Sequence, residues 1–148
     1  MIAAIVLSAL LSPAAANESA AVIGWDMFYE SVRASGLTFS EGMKALEGRR
    51  VRLRGHSVGH PRIEGGLLLT RFEHEDPHGV EEHDLPFDAV AVLWRSGIDL
   101  PPVPRRPTVE GVLRLGNRRI GEDVIVTVTI EEAVPVVRDG AANQPPAR

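Results

Sequence analysis

The sequence contains no cysteine, and this absence excludes several kinds of chemistry. There is no disulfide scaffold, no thiolate nucleophile, no cysteine-ligated zinc and no lipid attached through a cysteine. Lysine is nearly absent, with Lys44 the single example, and aromatic residues make up only 5% of the chain. The formal net charge is -4, whereas a domain that neutralises nucleic-acid phosphates normally carries a basic excess. Nucleic acid is therefore not an expected partner.

No charged side chain occurs in residues 1–16. This segment runs apolar from Ile2 to Leu11, breaks at Pro13 and ends in three alanines, which is typical of a secretory signal peptide. The run is too short to cross a bilayer as an ordinary transmembrane helix, and the alternative is a buried N-terminal strand or helix. We expect cleavage after Ala16, a periplasmic or secreted protein, and no stable membrane insertion after cleavage. N-terminal sequencing of the exported protein, which should begin at Asn17, would test this.

Helical spacing is confined to the first part of the mature chain. Residues 25–35 place apolar side chains at i, i+3, i+4 and i+7, which predicts a short amphipathic helix. In the next segment Thr38 and Glu41 stand in capping-box register and Gly48 follows as a stop signal, which predicts one or two further helical turns.

A period of two then replaces the helical period in five segments. In 123–131, the even-numbered Val and Ile residues are expected to face inward, and Thr127 and Thr129 outward. Gly111 is expected to allow a sharp bend, and 87–94 is apolar at both parities, as in a strand that is covered on both faces. The five predicted strands are 50–54, 67–72, 87–94, 108–115 and 123–131.

Five strands without intervening helices predict a mainly β fold. The first choice is a small five-stranded OB-like antiparallel barrel with one or two short N-terminal helices, and the alternative is a small sandwich. The expected domain is 17–138. The tail 139–148 lacks apolar residues able to pack and is expected to be disordered.

Residues 55–59, GHSVG, fit the G-x-S-x-G pattern that surrounds the nucleophilic serine of α/β-hydrolases. In those enzymes the serine lies on a sharp turn between a parallel strand and a helix. Here HPRIEGG follows, with a proline in the place of a first helical turn and paired glycines soon after. We therefore interpret the glycines as easing the exit of a strand from the barrel. A small serine hydrolase that uses Ser57 is a lesser alternative.

Histidine and acid are concentrated in residues 72–84, FEHEDPHGVEEHD. Imidazole and carboxylate suit a divalent metal such as zinc or copper, and His74, His78 and His83 are the candidate ligands. Their spacing matches no defined metal site. A specific site, weak adventitious binding and a plain solvated loop therefore stay open, and no cofactor is the first expectation.

Arginines occupy one face of the first predicted strand. Arg50, Arg52 and Arg54 alternate with apolar residues, which indicates a solvent face paired with neighbouring carboxylates or with an acidic partner. His56 and His60 follow where this strand ends. The candidate surface for a ligand or a protein partner consists of Arg52, Arg54, His56 and His60.

Several short stretches, taken in order, resemble the DUF3299 family of uncharacterised exported bacterial proteins and lipoproteins. They are Trp25-Asp26, ALEGRRVRLRGHSVG at 45–59, LLLTRFE at 67–73 with its histidine-containing and proline-containing loop, and PFDAVAVLW at 86–94.

Two departures from the family pattern stand out. The cysteine common in the family's loop is replaced by residues 73–75, and Phe87-Asp88 replaces an Asn-Gln pair. The resemblance implies an OB-like barrel outside the cytoplasm, with a partner or cargo role beside a membrane transport system. It supplies no catalytic residues.

Together these features indicate an exported, non-enzymatic binding or accessory module of the bacterial periplasm. Its partner would be an unknown protein or a small ligand, with a membrane transport complex implied by the resemblance. One alternative is a periplasmic divalent-metal-binding protein that uses the histidine-rich and acidic loop. The lesser one is a small serine or metal-dependent hydrolase.

The metal hypothesis makes a thermal prediction. Zinc or copper that binds only the folded chain raises the melting temperature by an amount set by the metal concentration relative to Kd. Melting curves with and without each metal measure the effect. An unchanged melting temperature at high metal concentration would eliminate a specific site.

Overall fold

The computed structural model describes residues 19–58, 63–73, 86–121 and 124–137. The predicted signal peptide, 1–16, and the predicted tail, 139–148, lie outside this part of the chain. No helix within it is long and apolar enough to span a membrane. The elements are β1 Ala21–Val22, a 3₁₀ turn at Trp25–Met27, β2 Tyr29–Arg33, β3 Gly36–Phe39, α1 Glu41–Ala45, β4 Arg50–Arg54, β5 His56–Val58, β6 Gly66–Thr70, β7 Val90–Trp94, β8 Thr108–Ile120 and β9 Val124–Pro135.

Seven strands form one sheet in the order β1-β4-β8-β9-β7-β6-β5, and β2 pairs with β3 separately. Neighbours are antiparallel except for β1–β4 and β7–β9, which are parallel. The fold is therefore mainly β, as the period-two segments predict. No ladder among the described residues joins the end strands β1 and β5, so the sheet is not closed into a barrel there.

A bend at Gly55 divides the first long strand into β4 and β5. These two strands pair with different partners, β8 and β6, although only Gly55 separates them. A Cβ atom added at Gly55 would lie 2.7 Å from Cζ2 of Trp25 and 3.1 Å from the carbonyl oxygen of Thr70. The indole N–H of Trp25 also donates to the carbonyl of Arg54 at 2.8 Å. Glycine is required because the indole packs against the bend itself.

Buried side chains form two clusters on the two faces of β7. Val90 and Val92 belong to the larger cluster, and Ala91 belongs to the smaller one. This confirms the expectation that β7 is covered on both faces. The largest fully buried members of the first cluster are Phe28, Met43, Leu53, Leu69, Leu113 and Ile130. The smaller cluster comprises Leu68, Ala91, Ile120, Val124 and Val126.

The helix predicted for 25–35 is wrong. This stretch forms a single 3₁₀ turn followed by the first strand of the β2–β3 hairpin. The ring of Tyr29 stacks on that of Phe39 at 5.3 Å, and its hydroxyl hydrogen-bonds to Oγ1 of Thr127 at 2.6 Å. These cross-strand and long-range contacts decide the conformation, whereas helical spacing over eleven residues is only a weak preference.

The short helix predicted after Thr38 is present as α1. It is capped by Ser40 rather than Thr38, because Oγ of Ser40 accepts a hydrogen bond from the backbone N–H of Met43 at 3.2 Å. The chain passes through Gly48 with φ of +75°, as expected after a helix end.

Two details of β8 and β9 were also predicted. The bend expected at Gly111 stays a prediction, because the register shift between Glu110 and Val112 comes from an extra residue in β9 and not from β8. Thr129, expected to face outward, is instead buried, because β9 lies between β7 and β8 and pairs Thr129 with the buried Ala91.

The bend yields a stability prediction. Gly55→Ala should lower the free energy of unfolding by about 1–3 kcal/mol, the usual cost of forcing extra atoms into a packed site, because the methyl must displace the ring of Trp25. Urea unfolding followed by tryptophan fluorescence measures the loss. Gly24→Ala is the matched control, because a Cβ there meets no atom within 4 Å. Equal stability of the two variants would show that the bend does not depend on this contact.

Candidate functional site

A cavity of about 340 Å³ opens where the ends of β4, β7 and β9 meet the start of β8. We call it the proline-loop cavity. Its size falls within the range of roughly 300–1,000 Å³ that is usual for small-molecule sites. It is lined by Arg54, Trp94 and the segments 101–104, 106–108 and 135–137.

The proline-rich wall, residues 101–107, is tied to the bent strand. Its prolines lack backbone N–H groups and have a fixed φ, so this segment forms neither a helix nor a central strand. The N–H of Gly55 donates to the carbonyl of Pro107 at 3.2 Å, and the N–H of Ser57 donates to that of Arg105 at 2.9 Å. The bend at Gly55 thus positions the wall as well as the sheet.

Ser57, the serine of the G-x-S-x-G pattern, belongs to this attachment. It lies in β5 opposite Leu69, and its hydroxyl is 3.3 Å from the carbonyl oxygens of both Pro104 and Arg105. Within the described residues no histidine accepts a hydrogen bond from Ser57. The contacts of Ser57 are therefore those of a side chain that holds the cavity wall. The hydrolase alternative stays a prediction.

One carboxylate, that of Glu110, pairs with two of the three arginines of β4. Nη2 of Arg50 lies 3.1 Å from Oε1 of Glu110, and Nη2 of Arg52 lies 2.9 Å from Oε2. Hydrogen bonds from Arg52, and then from Arg50, hold the pKa of Glu110 below its usual value. The pairing with carboxylates expected for this face is thus found for Arg50 and Arg52, and Arg52 is already occupied by an internal partner.

Arg54 lies beyond that carboxylate and lines the cavity. Its partner in the β4–β8 register is Thr108, which lines the cavity too. Within the described part of the chain neither Arg54 nor Arg106 forms an ion pair, and no carboxylate lines the cavity. Arg105, by contrast, lies 3.6 Å from the carboxylate of Glu73.

Of the five histidines predicted as site residues, one, His56, lies within the described residues. His56 is half-buried in β5 and is not among the residues that line the cavity. The described ranges contain no group of three or more side chains able to hold a metal ion. The metal hypothesis stays a prediction, because the remaining candidates lie outside the described residues: His60, His74, His78 and His83.

Most of the cavity wall was not predicted from the sequence. No site residue was expected in 95–107, and Trp94 was expected only as part of the strand 87–94. Trp94 in fact packs against the larger cluster and also lines the cavity. The available signal was the dense run of prolines beside Arg105-Arg106, which begins seven residues after Trp94.

Comparison with known proteins gives one structural likeness to report. The crystal structure of a DUF3299 family protein from Pseudomonas aeruginosa PAO1 matches with a TM-score of 0.43 and 17% identity, over 70% of each chain. That protein belongs to the family that the sequence motifs of this chain resemble. No protein-family model matches the chain, and the search of curated proteins found no match.

The arginine–glutamate clusters predict how stability depends on pH. Hydrogen bonds from Arg118 and Arg114 lower the pKa of Glu131, as Arg52 and Arg50 do for Glu110. A carboxyl whose pKa is lower in the folded chain stabilises it above the unfolded pKa, about 4.3 for Glu, and this stabilisation is lost as pH falls through the folded value. Burial raises the pKa of Asp88, which therefore has the opposite effect: its contribution is lost as pH rises through the raised value.

Glu110→Gln should therefore reduce the loss of stability on acidification. The free energy of unfolding, measured by urea titration between neutral pH and about pH 3, should fall less steeply than in the unmodified chain. Glu64→Gln is the control, because Glu64 is an exposed turn residue. The assignment is wrong if both variants follow the unmodified profile.

Proposed function

We propose that this chain is an exported binding module that holds a small apolar ligand in the proline-loop cavity. The observation that carries the proposal is the cavity itself, which has proline and valine side chains and the ring of Trp94 as walls. Such walls favour apolar ligands because binding removes apolar surface from water. The export half of the proposal is supported by the signal-peptide features of residues 1–16. An accessory role beside a membrane transport system is supported only by the resemblance.

The construction of the cavity supports a binding role over a chance gap between loops. The proline segment has few backbone conformations of its own, and hydrogen bonds from Gly55 and Ser57 attach it to the sheet. On the opposite side, the N–H of Val136 donates to the carbonyl of Thr108 at 2.9 Å. A wall that is already ordered loses little conformational entropy when a ligand binds, and this favours affinity.

The same proposal includes an OB-like barrel as the fold of the chain. Taken as one bent strand, residues 50–58 pair with β8 through β4 and with β6 through β5. The ladders β6–β7, β7–β9 and β9–β8 connect the remaining strands, and β7–β9 is parallel. A five-stranded barrel whose bent first strand has a neighbour on either side would account for this pairing.

An uncharged fluorescent probe tests the binding function. N-phenyl-1-naphthylamine should bind at a single saturable site, and tryptophan excitation should transfer energy to the bound probe because Trp94 lines the cavity. Val136→Phe should weaken binding about tenfold, because a larger side chain occupies part of the cavity. Fluorescence titration gives both the stoichiometry and Kd.

Val32→Phe is the matched control for this test. Val32 lies in the β2–β3 hairpin, is 52% exposed and does not line the cavity, so the same enlargement should leave Kd unchanged. Melting temperatures of both variants establish that they are folded. The proposal fails if binding does not saturate, or if the two substitutions weaken it equally.

A further inference from the structure

We propose that the ligand of the proline-loop cavity carries one anionic group, such as a carboxylate, which Arg54 binds while the apolar part lies against the proline wall. This inference rests on the proposed function and adds the chemical class of the ligand. The observation behind it is a pair of arginines beside apolar walls.

Among the described residues, the charges around the cavity are all of one sign. Arg54 and Arg106 are its charged lining residues within the described chain, although the whole chain has a net charge of -4. At least six of the twelve arginines that the structure describes form an ion pair with a carboxylate, whereas neither arginine of the cavity does so within the described residues. Six examples of such pairing are Arg50 and Arg52 with Glu110, Arg71 with Asp26, Arg105 with Glu73, and Arg114 and Arg118 with Glu131.

Arg54 has the chemistry that an anionic group requires. A guanidinium presents N–H donors in a planar fork that matches the two oxygens of a carboxylate. Thr108 lies directly opposite Arg54 in the β4–β8 register and also lines the cavity, so its hydroxyl offers another donor nearby.

The backbone of Arg54 is fixed on both sides. Its carbonyl oxygen accepts the indole N–H of Trp25 at 2.8 Å, and the next residue is the tightly packed Gly55. The point from which the arginine side chain extends is therefore set before any ligand arrives. An anion without an apolar part would form only a solvent-exposed ion pair, which is weak. The expected ligand is consequently amphiphilic.

Two probes that share an aromatic system separate this inference from the proposed function. The dye 8-anilinonaphthalene-1-sulfonate has the ring system of N-phenyl-1-naphthylamine with a sulfonate added, which stands in for the carboxylate. In the full chain we expect the sulfonate probe to bind about tenfold more tightly than the uncharged probe. Its affinity should also fall as salt is added, whereas that of the uncharged probe should not.

Arg54→Gln should remove the preference for the charged probe. The affinity for this probe should fall about tenfold, and by much more than the affinity for the uncharged probe. Arg54→Lys keeps the charge without the planar fork and should retain part of the preference. Arg33→Gln removes the same charge from an exposed hairpin residue that does not line the cavity, and it should change neither Kd.

The outcomes distinguish the two proposals. If the uncharged probe binds but the sulfonate probe binds no more tightly, or if Arg54→Gln and Arg33→Gln act alike, the anionic ligand is overturned and the cavity remains a binding site. If neither probe binds at a saturable site, the proposed function itself fails. The salt dependence in the unmodified chain keeps the test valid even if Arg54→Gln does not fold.

Competition identifies the source of the carboxylate. Octanoate and the peptide N-acetyl-Leu-Val both carry an apolar part and one carboxylate, and each is titrated against the bound sulfonate probe. Displacement by octanoate alone supports a free apolar acid, and displacement by the peptide alone supports a peptide C-terminus. Displacement by neither overturns the carboxylate as the recognised group.

Discussion

The packing of Trp25 against Gly55 is the contact on which the rest of the structure depends. It occupies the space that a Cβ would need, and the indole N–H fixes the carbonyl of Arg54 at the point where the strand changes partners. β4 can then pair with β8 while β5 pairs with β6. The backbone N–H groups of Gly55 and Ser57 are left to hold the proline segment. One aromatic contact therefore links the sheet to the cavity wall.

The position of one carboxylate decides which arginine of β4 can serve a ligand. Glu110 is directly opposite Arg52 in the register and reaches Arg50 as well, so both guanidinium groups form an ion pair with this internal carboxylate. Two residues further along, Arg54 is opposite Thr108, which has no charge to offer. Three arginines that look equivalent in the sequence therefore have different partners in the structure. The difference comes from their cross-strand neighbours in β8, which cannot be identified from the sequence of β4 alone.

Local patterns predicted the sheet well and the N-terminal region poorly. The alternation in β9 correctly predicts its buried residues, which are Val124, Val126, Val128 and Ile130. A local pattern suffices here because the residues of a single strand show which of its faces is apolar. The spacing in 25–35 suggested a helix, but Tyr29 makes its contacts with Phe39 and Thr127, which no local pattern reveals. The cavity was missed for the same reason, because its walls come from segments far apart in sequence and any one of them alone looks like a strand end or a loop.

The prolines of the cavity wall determine how this wall can attach to the sheet. A residue without an N–H can accept hydrogen bonds but cannot donate one from its backbone. The hydrogen bonds from β5 and the bend run accordingly in one direction, from Gly55 and Ser57 to carbonyl groups of the proline segment. A segment whose hydrogen bonds to the bent strand run only through its own carbonyls lies beside this strand without extending the sheet as a regular strand would. The space between this segment and the end of β9 therefore stays open. Ser57, which fits a nucleophile pattern in the sequence, contributes hydrogen bonds that hold the segment beside β5.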